Sequence, residues 1–449
     1  MCLMKADLLL AEIGSTTTLV FAFDLVDQQL ILKAQGVSET TQGETSVLEG
    51  LTKAIHHACS EGIEYTQLHL SSSAAGGLSM IVVGLVKDMT VKAASEAALG
   101  AGANIKAVVV GKLSEDDLAM IQSTPCNILL LAGGVDYGEK ETVLHNATML
   151  ARLKPSFPII YAGNKVVANR VKQIFEHAKT EIYVVDNVYP TIDELVVEPV
   201  RKKIQQVFER HIIHAKGMSE LSSVVDGHIM PTPAAVNTLA ALMQPWLKHV
   251  MVIDVGGATT DIHSVNPVSL QYKHRQFSVE PEAKRTVEGD LGVFKNRYHL
   301  YDSLSYSTYP RSLLDDFEAI TLTEEQSLLR DELTKHAVKT ALLRHVGKIK
   351  ISYGSTGRTT IIDGKDCTNI NTIVLTGGAL LYHQNPETMI KEILDTYQGQ
   401  YLLPSSDVCI VKDTDYLWSS LGVLSLSYPE EVKAFLKKHY QEDWLCIQN

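Results

Sequence analysis

Residues 8–20 read LLLAEIGSTTTLV, and residues 250–262 read VMVIDVGGATTDI. Each is an apolar strand carrying a carboxylate near its end, then an apolar residue, a glycine, two small residues, a Thr-Thr pair and the start of another strand. The carboxylates are Glu12 and Asp254, and the leading glycines are Gly14 and Gly256. The same strand–loop–strand unit thus occurs once in each half of the chain. Glycine lets a backbone turn tightly and approach an anion with no Cβ in the way. Ser15, Thr16, Thr17 and Thr18 in the first loop, and Gly257, Ala258, Thr259 and Thr260 after Gly256, supply N–H groups and hydroxyls for phosphate oxygens. A carboxylate beside such a loop repels phosphate directly but can hold a hydrated Mg²⁺, which takes one or two carboxylates and keeps several waters. Glu12 and Asp254 are therefore the candidate metal ligands, and Asp254 with Asp261 the candidate catalytic acids. Two such hairpins facing one cleft would grip a polyphosphate from both sides. Either loop alone reads as a plain β-hairpin, in which Gly and Thr are common; the matched carboxylates favour a shared functional origin.

A third element agrees with this. Leu375-Thr376-Gly377-Gly378-Ala379 follows an apolar strand and precedes a helix, so Gly377, Gly378 and Ala379 form a candidate adenosine contact. The other phosphate motifs are missing: the sequence has neither G-x-x-x-x-G-K-[ST] nor a G-x-G-x-x-G between a strand and a helix. ILLLAGGV (128–135) has a similar glycine exit but receives no site role.

Outward from these loops, the 449 residues exceed one ordinary core and predict two lobes. A net charge of −12 argues against nucleic acid, whose binding needs a basic excess; a nucleotide's few phosphates can be met by backbone amides and a metal. No apolar run has the length to span a bilayer, and the N-terminus, MCLMKADLLLAEIG, has no small-residue cleavage site. The six cysteines are scattered without Cys-x-x-Cys spacing, which predicts reduced, mostly buried thiols in a cytoplasmic protein.

Between the loops, short β-like runs (MIVVGLV, IKAVVVG, NILLLAGG, FPIIYAG, EIYVVD) alternate with helical stretches, as in a parallel-sheet module. The predicted organisation is a first lobe at 1–73 with the first hairpin, an inserted α/β module at 74–190, and first-lobe connecting helices at 191–249. A second lobe at 250–428 carries the other two motifs, and a C-terminal helix and tail occupy 429–449. Pro231-Thr232-Pro233 opens a helix, and Thr323 with Gln326 predicts a capping box ahead of a long helix reaching about Gly347.

With these elements in order, the chain resembles the superfamily of actin, hexokinase and the major heat-shock chaperones. That resemblance implies a two-lobed α/β fold with duplicated ribonuclease-H-like subdomains. PTPAAVNTLAAL (231–242) is similar to the chaperones' connecting helix, but Met230 stands where they carry a water-positioning carboxylate. Closer still is the MutL/GlmL family, the accessory protein of glutamate mutase. The segments AEIGSTTT (11–18), SSAAGGL (72–78), LLLAGGVDYG (129–138), MPTPAAV (230–236), VIDVGGATTD (252–261), RTVEGDLGV (285–293) and VLTGGAL (374–380) carry this likeness in order. It implies a Mg²⁺-dependent ATP-binding, chaperone-like partner of an adenosylcobalamin-dependent mutase, with weak ATPase activity. The protein partner is then the mutase; a homodimer is a further association considered, and neither nucleic acid nor membrane is expected. The alternative on the same fold is a small-molecule kinase or a hydantoinase-like ATP-dependent enzyme, for which Asp88, Asp136 and Asp226 are the candidate bases.

The remaining motifs have plainer readings. The segment 286–290 (TVEGD) reads either as a loop near the nucleotide or as a client surface, or simply as an acidic turn. Arg344, His345, Lys348 and Lys350 place positive charge at a helix end, where it complements the helix dipole. Ser72 and Ser73 beside Ala74-Ala75-Gly76-Gly77 read as hinge or packing, with no Gly-x-Ser-x-Gly around them.

Overall fold

The computed structural model describes the chain except residues 1–2, 41–46, 74–77, 102, 193, 213–224, 226, 273–279, 319–321, 355–356, 442–443 and 448–449. Asp226 and the Ala-Ala-Gly-Gly run at 74–77 therefore lie outside the described residues. The chain forms two compact units, one of residues 1–75, 220–277 and 282–449, the other of residues 76–219 and 278–281.

In the larger unit, β1 (Met4–Ile13) and β2 (Thr17–Val26) form the first hairpin, and β3 (Gln29–Glu39) extends it antiparallel. The amphipathic α1 (Val47–Ala58) leads back to β4 (Ile63–Ser72), which lies parallel to β1.

The chain then enters the smaller unit. It runs through β5 (Leu78–Gly84), α2 (Lys92–Gly100), β6 (Ala103–Val110), α3 (Glu115–Ser123), β7 (Ile128–Leu131), α4 (Glu141–Leu153), β8 (Ile159–Tyr161), α5 (Ala168–His177), β9 (Ile182–Val184) and α6 (Glu198–Ile212). The five expected β-like runs are these five strands. All pair in parallel, in the order β6-β5-β7-β8-β9, a doubly wound arrangement with its own apolar core from Ile81 to Phe175. Helix α6, expected among the first-lobe helices, groups with this unit because it packs on α2 and β8.

Returning to the larger unit, β10 (Ile229–Pro231) adds to β4, and α7 (Thr232–Leu247) follows with Pro233 in its first turn. The second hairpin is β11 (Val250–Val255) and β12 (Thr260–Val265), extended by β13 (Ala283–Glu288). Next come α8 (Arg297–Asp302), the long α9 (Glu324–His345), and a separate hairpin of β14 (Lys348–Gly354) and β15 (Gly357–Asp363). The chain closes with β16 (Thr372–Thr376), the single-turn α10 (Gly378–Leu381), α11 (Pro386–Tyr397), β17 (Cys409–Lys412), α12 (Trp418–Leu424) and α13 (Pro429–His439).

The two large sheets have one topology. The first runs β3-β2-β1-β4-β10 and the second β13-β12-β11-β16-β17, each with three antiparallel strands followed by two parallel ones. This is the duplicated ribonuclease-H-like pair of the actin-like fold. Leu8, Phe21 and Phe23 of the first sheet and Val250, Val252 and Val374 of the second share one core with α7, α12 and α13. A second core packs the other face of the second sheet against α9 and α11.

Two expectations are corrected here. Cys409, at the start of β17, is disulfide-bonded to Cys446 in the chain's last turn, with Cα atoms 5.7 Å apart, so these two thiols are not reduced. His345 at the end of α9 is no dipole-complementing cation. It is buried between the hydroxyls of Ser264 and Thr286, and burial holds its pKa well below the ordinary histidine value. Among the described residues, no helix is long and apolar enough to cross a membrane.

Candidate functional site

The duplication reaches the level of single hydrogen bonds. Gly14 N–H donates to Thr17 O at 2.8 Å, and Gly256 N–H to Thr259 O at 3.0 Å, closing the same turn at matching repeat positions. A Cβ on Gly14 would stand 2.7 Å from Thr17 O, so the first turn excludes any larger residue. The loops also approach one another, since a Cβ on Gly257 would lie 2.9 Å from Thr16 Cγ2.

All three glycine motifs open onto one cavity of about 140 Å³. Thr16 and Thr17 line it from the first loop, Gly256 and Gly257 from the second, and Gly378 and Ala379 from the third. Phe294, Phe317, Tyr382 and Tyr416 supply aromatic walls, with Arg330 and Glu318 at polar positions. Gly377 holds the third motif against the second: at φ 89°, its Cβ position lies 2.5 Å from both Asp254 Oδ1 and the Val255 backbone.

The other candidate residues stand as follows. Ser15 directs its hydroxyl to Ser73 O at 3.5 Å. Thr18 is buried and bonded to Thr40 Oγ1 at 2.9 Å, while Thr260 is buried and donates to Leu291 O at 2.7 Å. Neither of these two lines the cavity, because the strand alternation turns them inward. Ala258 accepts from Asn296 through its carbonyl. Asp261 is committed on both oxygens, to Thr259 Oγ1 at 2.9 Å and to the Arg285 guanidinium at 2.7 Å, in a pair that is almost fully buried. It therefore anchors the second loop from below. Of the kinase-base candidates, Asp136 accepts from Lys165 N and Asn187 in the smaller unit, and Asp88 lies there as well.

The carboxylates beneath the cavity crowd one another. Burial raises Glu12 to a pKa of about 8, with Asp254 and Asp413 adding repulsion and a hydrogen bond from Ser419 Oγ opposing it. Asp254 is raised to about 7 by burial, then by Asp261, while Arg285 pulls it down. Buried oxygens that repel one another beside a cleft are a donor set suited to a hard divalent cation. Among the described residues, no group of three or more His, Cys, Asp or Glu is arranged to hold a metal. A cation here would thus take Glu12 and Asp254 with waters and phosphate oxygens, a coordination that Mg²⁺ favours.

Several further residues join the site beyond those the glycine motifs marked. The segment 289–296 wraps the second loop: Val293 N–H donates to Gly256 O, and Phe294 and Lys295 N–H both donate to Gly257 O. TVEGD thus leads into the stretch that packs on the second glycine loop, with Arg344 clamping Glu288 at 2.5 Å and Asp290 at 3.0 Å. Arg285, the first residue of the RTVEGD motif, carried a usable signal. Asp413, Tyr416 and Ser419 carried none.

Comparison with known proteins agrees in extent. Two solved structures that cover nearly the whole chain are a glycerol dehydratase reactivase (TM-score 0.39, 11% identity, 93% of this chain and 99% of that one) and a diol dehydratase-reactivating factor (0.36, 13%, 95% and 100%). Protein MutL of Clostridium tetanomorphum is 35% identical over 460 residues, spanning 96% of this chain and 98% of that protein. The profile of the family described as MutL protein matches residues 8–440, and with the loops, cavity and sheets in that same span, the chain belongs to the MutL family.

Proposed function

We propose that the protein is a Mg-ATP-binding, chaperone-like accessory factor that reactivates an adenosylcobalamin-dependent mutase, glutamate mutase or a related aminomutase. The observation that carries the nucleotide part is the meeting of three glycine loops at one cavity, with Glu12 and Asp254 beneath it. Family membership supports the accessory role.

In this reading, backbone amides of residues 15–17 and 257–259 donate to phosphate oxygens from opposite sides, while the Gly14 and Gly256 amides stay committed to closing the two turns. Glu12 and Asp254 would hold Mg²⁺, largely through water, and the Gly377–Ala379 turn would receive the nucleoside. Bound Mg-ATP supplies a differential affinity for the closed form, the only way a ligand can shift such an equilibrium. The two sheets with their loops respond by closing, and the client is gripped or released with that motion. Met230 is buried on β10 and offers no base for water, so turnover is slow and binding state is the signal.

The test begins with a thermal-shift titration of ATP and Mg²⁺ on the wild type, Asp254→Ala and Gly256→Val. A ligand that binds the native state raises its melting temperature, so the wild type should rise and both variants should not. The second arm incubates an inactivated cognate mutase with this protein and ATP. Recovered mutase activity supports the reading, and no recovery defeats the client assignment. ATP turnover stimulated by a small molecule without a protein partner would instead favour a metabolic enzyme.

A further inference from the structure

Tyr416 has a backbone φ of 60°, in the left-handed region that bulky side chains rarely occupy. It nevertheless lines the cavity onto which the glycine loops open. The phenol is near enough to the Gly378 amide to be stabilised by it, and near enough to the Glu12 and Asp254 carboxylates to feel their charge. Tyr416 thus shares one cavity with residues of all three glycine motifs.

Its backbone is tied to a different system. Tyr416 N–H donates to Asp413 O at 2.9 Å, and the buried Asp413 carboxylate is a hub. It accepts from Leu417 N and Trp418 N at 2.9 Å, which fixes the start of α12. It also accepts from Thr376 Oγ1 at 2.9 Å, at the end of β16, and from Tyr440 Oη at 2.7 Å, just past α13. Tyr440 stacks on Trp444 at 4.5 Å between ring centroids, and Trp444 contacts Trp246 at 5.7 Å and Trp418 at 6.1 Å. These are all three tryptophans of the chain.

We propose that Tyr416 is the residue that couples occupancy of the nucleotide cavity to the C-terminal helix. The inference rests on the nucleotide reading above and adds a route from that site. A nucleoside polyphosphate entering the cavity takes the Gly378 amide from the phenol and displaces the ring. The left-handed turn at 413–417 then relaxes, and because that turn caps α12 and holds Tyr440, the aromatic stack and α13 shift with it.

The full-length protein carries its own reporter, since every tryptophan lies in the stack. Mg-ATP is titrated while tryptophan emission is recorded, with affinity measured separately by calorimetry. In the wild type, emission should change in step with binding. Tyr416→Phe frees the Gly378 amide but keeps the ring, so ATP should bind about fivefold tighter with the emission response retained. Tyr416→Gly removes the ring and relaxes φ, so saturating ATP should leave emission unmoved. A full response in Tyr416→Gly, or weaker binding by Tyr416→Phe, overturns the coupling, and the Phe variant decides the matter if the Gly variant does not fold. Wild-type binding without any emission change defeats the coupling alone, whereas no wild-type binding by calorimetry defeats the nucleotide reading and the coupling together.

Discussion

Gly377 shows how narrowly single residues define the site. A Cβ there would meet Asp254 Oδ1 at 2.5 Å and would have to adopt φ 89°. Gly377→Ala should therefore cost about 1–3 kcal/mol from backbone strain alone and remove the ATP-induced rise in melting temperature; calorimetric scans with and without Mg-ATP check both. Arg285 acts through Asp261, and its removal leaves a nearly buried carboxylate without its cation. Arg285→Ala should lose about 3–5 kcal/mol in urea unfolding, with Arg285→Lys intermediate. His69 is buried, and burial with nearby His228 lowers its pKa to about 4. The unfolded chain binds a proton at this residue below about pH 6.5 while the folded chain does not, so wild-type stability falls as pH drops from about 6.5 to 4. Compared with His69→Gln across that window, the wild type should lose on the order of 3 kcal/mol. The repeat made Glu12, Gly14, Asp254 and Gly256 legible as candidates. Thr18 and Thr260 stand off the cavity, buried in their strands, where successive side chains face opposite ways. Tyr416 was invisible because its placement comes from a backbone angle and from neighbours, such as Gly378, that only the fold brings to it.

Elements were read well wherever local chemistry sets them. Thr323 and Gln326 do form the capping box, each side chain bonding the other's backbone N–H, and the helix they start runs to His345. The strands of both hairpins follow from apolar runs punctuated by glycine. What the pattern could not convey is which helices touch. α7 and α12 cross so closely that a Cβ on Gly422 would lie 2.1 Å from Ala235 O, and Trp418 Nε1 donates to Val236 O nearby. Gly422→Leu should force these helices apart at a cost of about 1–3 kcal/mol, measured as a lower urea midpoint with an unchanged slope. Because α7 and α12 join both sheets to a common core, nucleotide affinity should fall in the same variant.

For the whole molecule, the recurrence of one loop at an offset of half the chain was enough to expose two equivalent sheets, since both keep the same strand order. The boundary of the interposed unit was less legible. Helix α6 is amphipathic in either assignment, and only its packing on α2 and β8 places it. That unit has a complete parallel sheet and a core of its own, so a fragment of residues 76–219 should fold alone; circular dichroism during urea titration should show one cooperative transition. Finally, the bond between Cys409 and Cys446 closes a span of 37 residues around α12 and α13. The chain's end is thereby fastened to the rim of the second sheet by a link that thiols can open. Opening that link with a reductant should leave the tail moored by packing alone, and limited proteolysis with and without dithiothreitol would measure the difference.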